Sequence, residues 1–576
     1  MQVHECDICI IGAGISSAML AQKLSELRTG ASIIVVEAGR KIFDFENRFT
    51  YRQHMLDYAE NPWPGDWIPD QSAEGIISRT MAVGGQALHW GAACNRFTEE
   101  DLRLRSMYGL YVDWPIEWTE LEKFYCEAER RLGVSGEASP FPGDRMSLPY
   151  PMPPMPLTWD LAQLKAWGEK TGWPFQGIPQ AKNTVAGYDG RSICMRCGTC
   201  DIFPTGAKYS PDFTFKRLLS EKKIELHDET LIRRLVLKPG KTSIAAARGV
   251  HRERPREEVE YRAGTFVVAS GYTWSSHLLL LSAESRFPNG LANRTGQVGK
   301  YMNGHAFIMA VVDLNTKIYS DMNPQFGLIS RQFFRRPPTE KLYVRHDLRI
   351  WSNTPRVPLR LRNGEGKPLF GGELANDWRA RIAPGTARLR AYYDVHPAED
   401  SELTLDPTKR NEWGDPLPKI VHRFDAETEA RLPDTKDHIG KVFQKMASSD
   451  GGKITATFDG HYLDHPAGGC RMGADAEKNV CDSYGRTHDH ENLFVVGAPT
   501  LPTAGCTNGT LTFAAVTLRS AEEIAKGVLR KTSARPERRT SSGLTVLCEG
   551  KAAEFWTGRV AMRTPGRIGL MKAAVL

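Results

Sequence analysis

Four places in this 576-residue chain hold residues whose types and spacing could do chemistry. The first is Gly12-Ala-Gly14-Ile-Ser-Ser17, between an apolar run at Cys6–Ile11 and a helix-like run at Ala18–Leu27. Such a turn lets the backbone approach a pyrophosphate held at a helix N-terminus. Gly12 allows the tight turn, Gly14 the close approach, and Ser17 stands where a third small residue is usual. A second apolar strand, Ser32–Val36, ends in Glu37, which lies 20 residues after Ser17 and suits ribose hydroxyls. This βαβ pattern reads as a dinucleotide site and does not by itself separate FAD from NAD. The second place is Cys194-Met-Arg-Cys197-Gly-Thr-Cys200. Three thiolates in seven residues can wrap a metal centre, although no nearby His supplies a fourth zinc ligand. Reduced, unligated thiols or a disulfide are the other readings of the same loop. The third and fourth places are His465, in His-Pro-Ala-Gly-Gly-Cys470, and Asn508, in Asn-Gly-Thr510.

The elements that must position these residues are coarsely visible. Residues 118–132 have the apolar spacing of an amphipathic helix (Trp118, Leu121, Phe124, Tyr125, Ala128, Leu132). Strands are expected at Lys223–Leu226, Leu231–Leu237 and Thr265–Ser270, the last leading into a helix at Trp274–Ala283. Phe307–Val312 and Ala387–Tyr393 also read as strands, 435–447 as a helix, Asn492–Gly497 as a buried strand and Leu511–Val528 as a final helix. Residues 61–67, rich in Pro and Trp, suit a covering loop, and 139–156 are Pro-rich and extended. One parallel-sheet domain is therefore expected from three stretches, 1–110, 200–305 and 465–530, with 111–199 as cover and cysteine loop and 306–464 as a second layer.

Composition narrows the function classes. Hydrophobic residues make up 41% and charged residues 25%, an ordinary globular mixture. The net charge is +7, but residues 531–576 alone carry nine Lys/Arg against three Asp/Glu. A nucleic-acid reader carries its basic face on the folded body. Here the basicity sits in a tail of weak periodicity, expected to be disordered, so no nucleic-acid partner is expected. Eleven cysteines do not form a disulfide framework in a chain of this size. No uninterrupted apolar stretch reaches 18 residues. The N-terminal apolar run follows Glu5 and Asp7 and lacks a basic flank, so it reads as a buried strand and not a signal peptide. A cytoplasmic location is expected on that ground, with export alongside a partner to the periplasm or inner membrane as the alternative.

Taken together, the blocks resemble the glucose-methanol-choline (GMC) flavoprotein oxidoreductases over about residues 5–528. The resemblance rests on the N-terminal βαβ unit, on Arg79-Thr-Met-Ala-Val-Gly84-Gly85-Gln-Ala-Leu-His89-Trp90, on His465–Gly473, and on Asn492–Thr512 with Gly497, Asn508 and Thr510. Tyr111-Val-Asp-Trp114-Pro115 and Tyr188-Asp-Gly-Arg191 are similar to the large subunits of bacterial sugar and gluconate dehydrogenases. Pyranose oxidases share the His89-Trp90 and Asn508 blocks. The resemblance implies an α/β (α+β) fold with a discontinuous Rossmann-like FAD-binding domain and a mixed-sheet substrate-binding domain, the architecture also seen in p-hydroxybenzoate hydroxylase.

It also implies FAD, held by Gly12, Gly14, Ser17, Glu37, Gly84, Gly85, His89, Gly497 and Thr510, with His89 the position of a covalent histidyl link. It makes His465 the base that takes a hydroxyl proton and Asn508 the group that orients the substrate. The implied reaction is oxidation of a hydroxyl of a sugar, polyol, glycoside or sugar acid, with electrons passed to a non-oxygen acceptor. A sugar oxidase using O2 and a catalytically silent flavin electron-transfer subunit are the alternatives. Similar dehydrogenase subunits carry an iron–sulfur cluster at the cysteine loop and work with a small subunit and a cytochrome. They have a further Cys where this chain has Phe203, so the resemblance leaves a 3Fe-4S cluster on Cys194, Cys197 and Cys200. His396, in the substrate segment, reads as a structural histidine.

Overall fold

Unbroken apolar runs set up the first sheet. Ile8–Ile11 and Ile33–Val36 are buried without alternation, as strands covered by helices on both faces must be. In the computed structural model, strand Gln2–Ile11 lies between Ile33–Val36 and Arg254–Val268 and is parallel to both. Glu225–His227 extends one edge in parallel, and Leu493–Val495 pairs in parallel with Phe266–Val268. Two antiparallel strands, Ile244–His251 and Thr230–Leu237, complete seven. The sheet thus draws on three distant stretches of chain, and Met1–Lys531 form one compact unit. The expected strand at Thr265–Ser270 begins at Arg254; its first five residues are exposed and give no apolar signal.

The structure describes residues 1–533 apart from 28, 42–47, 49, 51, 54–66, 69–78, 142–143, 201, 320–326, 336–341, 355–356 and 383–384. Most of the aromatic 61–67 stretch and the basic tail beyond 533 lie outside the described residues. None of the described helices is long and apolar enough to cross a membrane.

A second, antiparallel sheet runs in the order Lys453–Ala467, Asn303–Asp313, Thr386–Tyr393, Leu348–Ser352, Leu328–Ser330, Gln176–Gly177. Its alternation is regular. Ala306, Ile308, Ala310, Leu348, Ile350, Leu389 and Ala391 pack on Ile439, Val442, Phe443 and Met446 of helix Ala426–Ser448. The intervening residues Arg349, Trp351, Arg390 and Tyr392 therefore occupy the opposite face. This is the face of the candidate site.

The sheet is interrupted at one functional place. Asn303 pairs with Ala467, but His305 pairs with Tyr462, so residues 463–466 bulge opposite Gly304. Pro466 cannot donate to a ladder and is tolerated at such a bulge. The bulge re-aims His465 out of the sheet. The strand crosses the boundary between the substrate segment and the last FAD segment expected from sequence, and it delivers His465 from the substrate side.

The backbone approaches closely at Gly12, where φ is +104° and an added Cβ would stand 2.6 Å from the Ala269 carbonyl oxygen. Gly12→Val is expected to cost roughly 2 kcal/mol of stability or more and to release bound flavin. A thermal melt and flavin quantitation check this; wild-type values for both would contradict the close-approach argument.

Candidate active site

Three blocks of sequence meet at the N-terminus of helix Ile15–Glu26. Gly14 is its N-cap, makes no side-chain cap bond, and has open space where a Cβ would be. The Gly84 N–H donates to the Ala13 carbonyl at 2.8 Å, tying the second glycine turn to the first. An added Cβ on Gly85 would lie 3.5 Å from Gly14 Cα, and one on Gly497 would lie 2.7 Å from Ser16 Oγ. Glu37 is buried beside them and accepts from the Ala13 and Gly39 N–H groups at 2.7 and 2.9 Å. Burial raises its pKa to about 7, against the lowering effect of those N–H bonds. The Ala38 backbone also bonds the carboxylate, which leaves lone-pair capacity for one hydroxyl donor. Thr510 opens the last helix, Thr510–Ser533, directly after Asn508 and Gly509.

His89 follows the short helix Gly85–Leu88, and its Nε2 lies 2.5 Å from Thr80 Oγ1. Burial, with the nearby Lys208 charge, lowers its pKa to about 3, so the imidazole is neutral. Lys208 is itself buried and donates to three carbonyls: Leu88 at 3.2 Å, Trp90 at 2.8 Å and Cys200 at 2.7 Å. One ammonium thus clamps the cysteine loop onto the turn that carries His89.

The three thiols of that loop are not gathered around a single ion. Among the described residues, one trio of His, Cys, Asp or Glu ligand atoms lies within 4.8 Å, namely Asp101, Asp394 and Cys506. Arg345 sits against both of those carboxylates, at 3.1 and 2.7 Å, so a guanidinium already occupies the place of a cation there. A preformed mononuclear site at Cys194, Cys197 and Cys200 is therefore absent among the described residues; thiolates on a multi-iron cluster stand further apart than that reach. Phe203 is buried against Phe213, with the Lys208 ammonium 4.4 Å from its ring centre.

His465 and Asn508, the pair expected to act on the substrate, do come together. Asn508 Nδ2 lies 2.6 Å from His465 Nε2. Asn508 Oδ1 faces Arg349, whose Nη2 donates to it at 2.6 Å, while Arg349 Nε bonds Asp347 at 2.5 Å. Guanidinium only donates, so the amide oxygen must face Arg349 and the amide nitrogen must face His465. Nε2 of His465 is then an acceptor and carries the lone pair. Burial, then Arg349, then Arg390 hold the His465 pKa well below the ordinary 6.5. On its other side, His465 Nδ1 lies 3.2 Å from His305 Nδ1. The Tyr392 ring packs on both imidazoles, and Arg390 lies over Trp351 and Tyr392.

His305, Asp347, Arg349 and Arg390 were not marked by the sequence. The period-2 alternation of their strands was the available signal, since it puts polar residues opposite an apolar face. His396 is buried and stacked on Tyr111, as a structural histidine would be.

Residues 397–517, which include both His465 and Asn508, match the family model "GMC oxidoreductase". Over that segment the chain is similar to the GMC oxidoreductases. It is 28% identical to the fructose dehydrogenase large subunit of Gluconobacter japonicus, over 90% of this chain and 97% of that one. It is 25% identical to the gluconate 2-dehydrogenase flavoprotein of Pantoea cypripedii, over 92% and 95%. A 6'''-hydroxyparomomycin C oxidase of Streptomyces lividus is 28% identical over 90% and 91%. In fold it is similar to a formate oxidase of Aspergillus oryzae, with a TM-score of 0.58 at 13% identity over 92% and 99% of the two chains. The family match and these relatives, which cover nine-tenths of the chain, support an FAD-dependent enzyme acting on CH–OH donors.

The residues present fit that cofactor. Ser17 Oγ is buried at the helix N-terminus without a hydrogen-bond partner among the described residues. The first helical turn carries no acidic side chain, and glycines without Cβ line the approach. A pyrophosphate would find donors there, and Glu37 would meet the ribose.

Because the folded-state pKa of Glu37 is raised from 4.5 to about 7, the folded apoprotein binds a proton that the unfolded chain releases. Its stability is expected to fall as pH rises between those values, and Glu37→Gln to flatten that slope. Chemical denaturation of apoprotein from pH 4.5 to 7.5 measures it; an unchanged slope in the variant would refute the assignment of the raised pKa to Glu37.

Proposed function

We propose that this chain oxidises a hydroxyl group of a sugar, glycoside or sugar acid, with His465 as the base and Asn508 holding the substrate oxygen. The observation that carries the reading is the 2.6 Å contact between Asn508 Nδ2 and a His465 Nε2 that bears the lone pair. FAD, when bound, accepts the hydride from the carbinol carbon. A substrate hydroxyl entering between the two side chains gives its proton to Nε2. The Asn508 N–H then turns to the substrate oxygen and stabilises the charge that develops there. The Arg349 guanidinium polarises the amide from behind and strengthens that donor. Asn cannot titrate, so a single base operates.

The substrate class is supported by the relatives, which are named for fructose, gluconate and glycoside oxidation. The sheet face beside the pair adds to this. Trp351 and Tyr392 offer aromatic surface and Arg390 offers donors, a combination suited to a hydroxylated ring.

Electrons are proposed to pass to a non-oxygen acceptor through a 3Fe-4S cluster on Cys194, Cys197 and Cys200, with a small subunit and a cytochrome as partners. Support comes from the Lys208 clamp, which keeps that loop against the His89 turn. A covalent link through His89 belongs to the same proposal; its imidazole is neutral, the form able to attack carbon. Partner-assisted export to the periplasmic face of the inner membrane goes with this reading, and a cytoplasmic location with a cluster-free enzyme. Phe203, an aromatic where similar subunits have a cysteine, favours the second reading of a sugar oxidase without a cluster.

His465→Ala is expected to lower flavin reduction by about 10²-fold or more while FAD stays bound. Wild-type turnover should be level above pH 6.5, because the His465 pKa lies well below that value and the base is already neutral. Anaerobic stopped-flow bleaching with D-fructose, D-gluconate and a C-glycoside reads both. Near-normal reduction in the variant, or an activity limb titrating above pH 6.5, would sink the base assignment.

A further inference from the structure

The chain of hydrogen bonds through His465 does not end there. His305 is 1% exposed, and its Nε2 lies 3.0 Å from the Ala504 carbonyl oxygen. A carbonyl only accepts, so Nε2 of His305 carries the hydrogen. In the neutral ring Nδ1 is then bare. That bare Nδ1 faces His465 Nδ1 at 3.2 Å, and the contact is a hydrogen bond only if His465 Nδ1 donates. The direction of every link is fixed from both ends: by the acceptor-only Ala504 carbonyl on one side and by the donor-only Arg349 guanidinium on the other. Both derivations reach one tautomer of His465, with hydrogen on Nδ1 and the lone pair on Nε2.

We propose that His305 is a positioning residue that holds the proton of His465 on Nδ1, so that Nε2 toward Asn508 is its one basic nitrogen. This rests on the reading of His465 as the base. In the reaction the substrate O–H bond breaks and the His465 Nε2–H bond forms, the O–H electron pair becomes the second C=O bond, and the C–H pair would leave with the hydride to bound FAD. His465 is then an imidazolium, and its Nδ1–H bond to the neutral His305 spreads that charge away from Arg349 and Arg390. Groups facing His305 include the Tyr392 ring at 4.6 Å, the His465 imidazole and the Ala504 carbonyl. The strand bulge is what allows the contact, since residues 463–466 leave the ladder opposite Gly304 and His465 swings over to its neighbour.

The test uses the holoenzyme and three variants: His305→Phe, His305→Asn and His465→Ala. Phe fills the space without an acceptor, and Asn returns an acceptor oxygen near the place of Nδ1. His305→Phe is expected to slow anaerobic flavin reduction by about 10²-fold with KM and flavin content nearly unchanged, and His305→Asn to recover at least about tenfold of that loss. Ring 15N shifts in histidine-labelled protein, assigned by loss of the His465 signals in His465→Ala, are expected to show an Nδ1–H tautomer in wild type and its loss in His305→Phe. An Nε2–H tautomer in wild type would overturn the proposal. So would full-speed reduction in His305→Phe, or an Asn variant no faster than Phe. If His465→Ala itself reduces flavin at the wild-type rate, the base assignment fails, and the 15N result still decides the tautomer.

Discussion

The buried Arg349–Asp347 pair sets the chemistry of the site. A guanidinium that is 2% exposed must have its charge balanced and its donors satisfied. Asp347 takes Nε, and Nη2 is left to Thr507 Oγ1 and Asn508 Oδ1. The amide of Asn508 therefore cannot flip without leaving a buried cation facing an N–H donor. Its nitrogen is committed to His465, and Nε2 of His465 is committed to accept. Burial first, and then the same guanidinium and Arg390, disfavour an imidazolium in the resting protein, so the proposed base waits neutral. The orientation of the amide follows from one ion pair at the start of the sheet strand Leu348–Ser352.

The rest of the molecule brings distant stretches of chain to that pair. The first sheet presents a helix N-terminus, Gly14, onto which the Gly84-Gly85 turn and Gly497 close from separate parts of the sequence. The second sheet turns its apolar face to helix Ala426–Ser448 and its polar face to the reaction. The bulge at 463–466 lets one strand serve both, since it belongs to the second sheet and carries His465 just before its end at Ala467. Lys208 performs a similar junction on the far side by joining the His89 turn to the cysteine loop.

Much of this was legible in the residues. The βαβ unit, the Trp118–Leu132 helix and the buried strand before Gly497 follow from period and glycine placement. His465 and Asn508 stood out only as parts of longer blocks, because a lone histidine carries no local mark of its role. Other features were hidden for physical reasons. Strand Arg254–Val268 starts among exposed charges. Helix Ala426–Ser448 was expected only over 435–447 and in fact runs through Pro433, a residue that removes one helical hydrogen bond. Asp425 caps the helix, its side chain accepting from Thr428 N at 2.8 Å. His305, Asp347 and Arg349 gain their function from cross-strand neighbours, which a linear reading does not supply.

The most direct test of the account is a deuterium isotope effect on anaerobic flavin reduction. D-fructose and D-gluconate, deuterated at each carbinol carbon in turn, would be mixed with wild-type holoenzyme above pH 6.5 in a stopped-flow instrument. The account predicts a primary isotope effect at one carbon of an accepted substrate, on a rate that does not vary with pH. Flavin reduction that is insensitive to carbinol deuteration at every position, or whose rate climbs through a titration above pH 6.5, would contradict hydride loss assisted by a neutral His465.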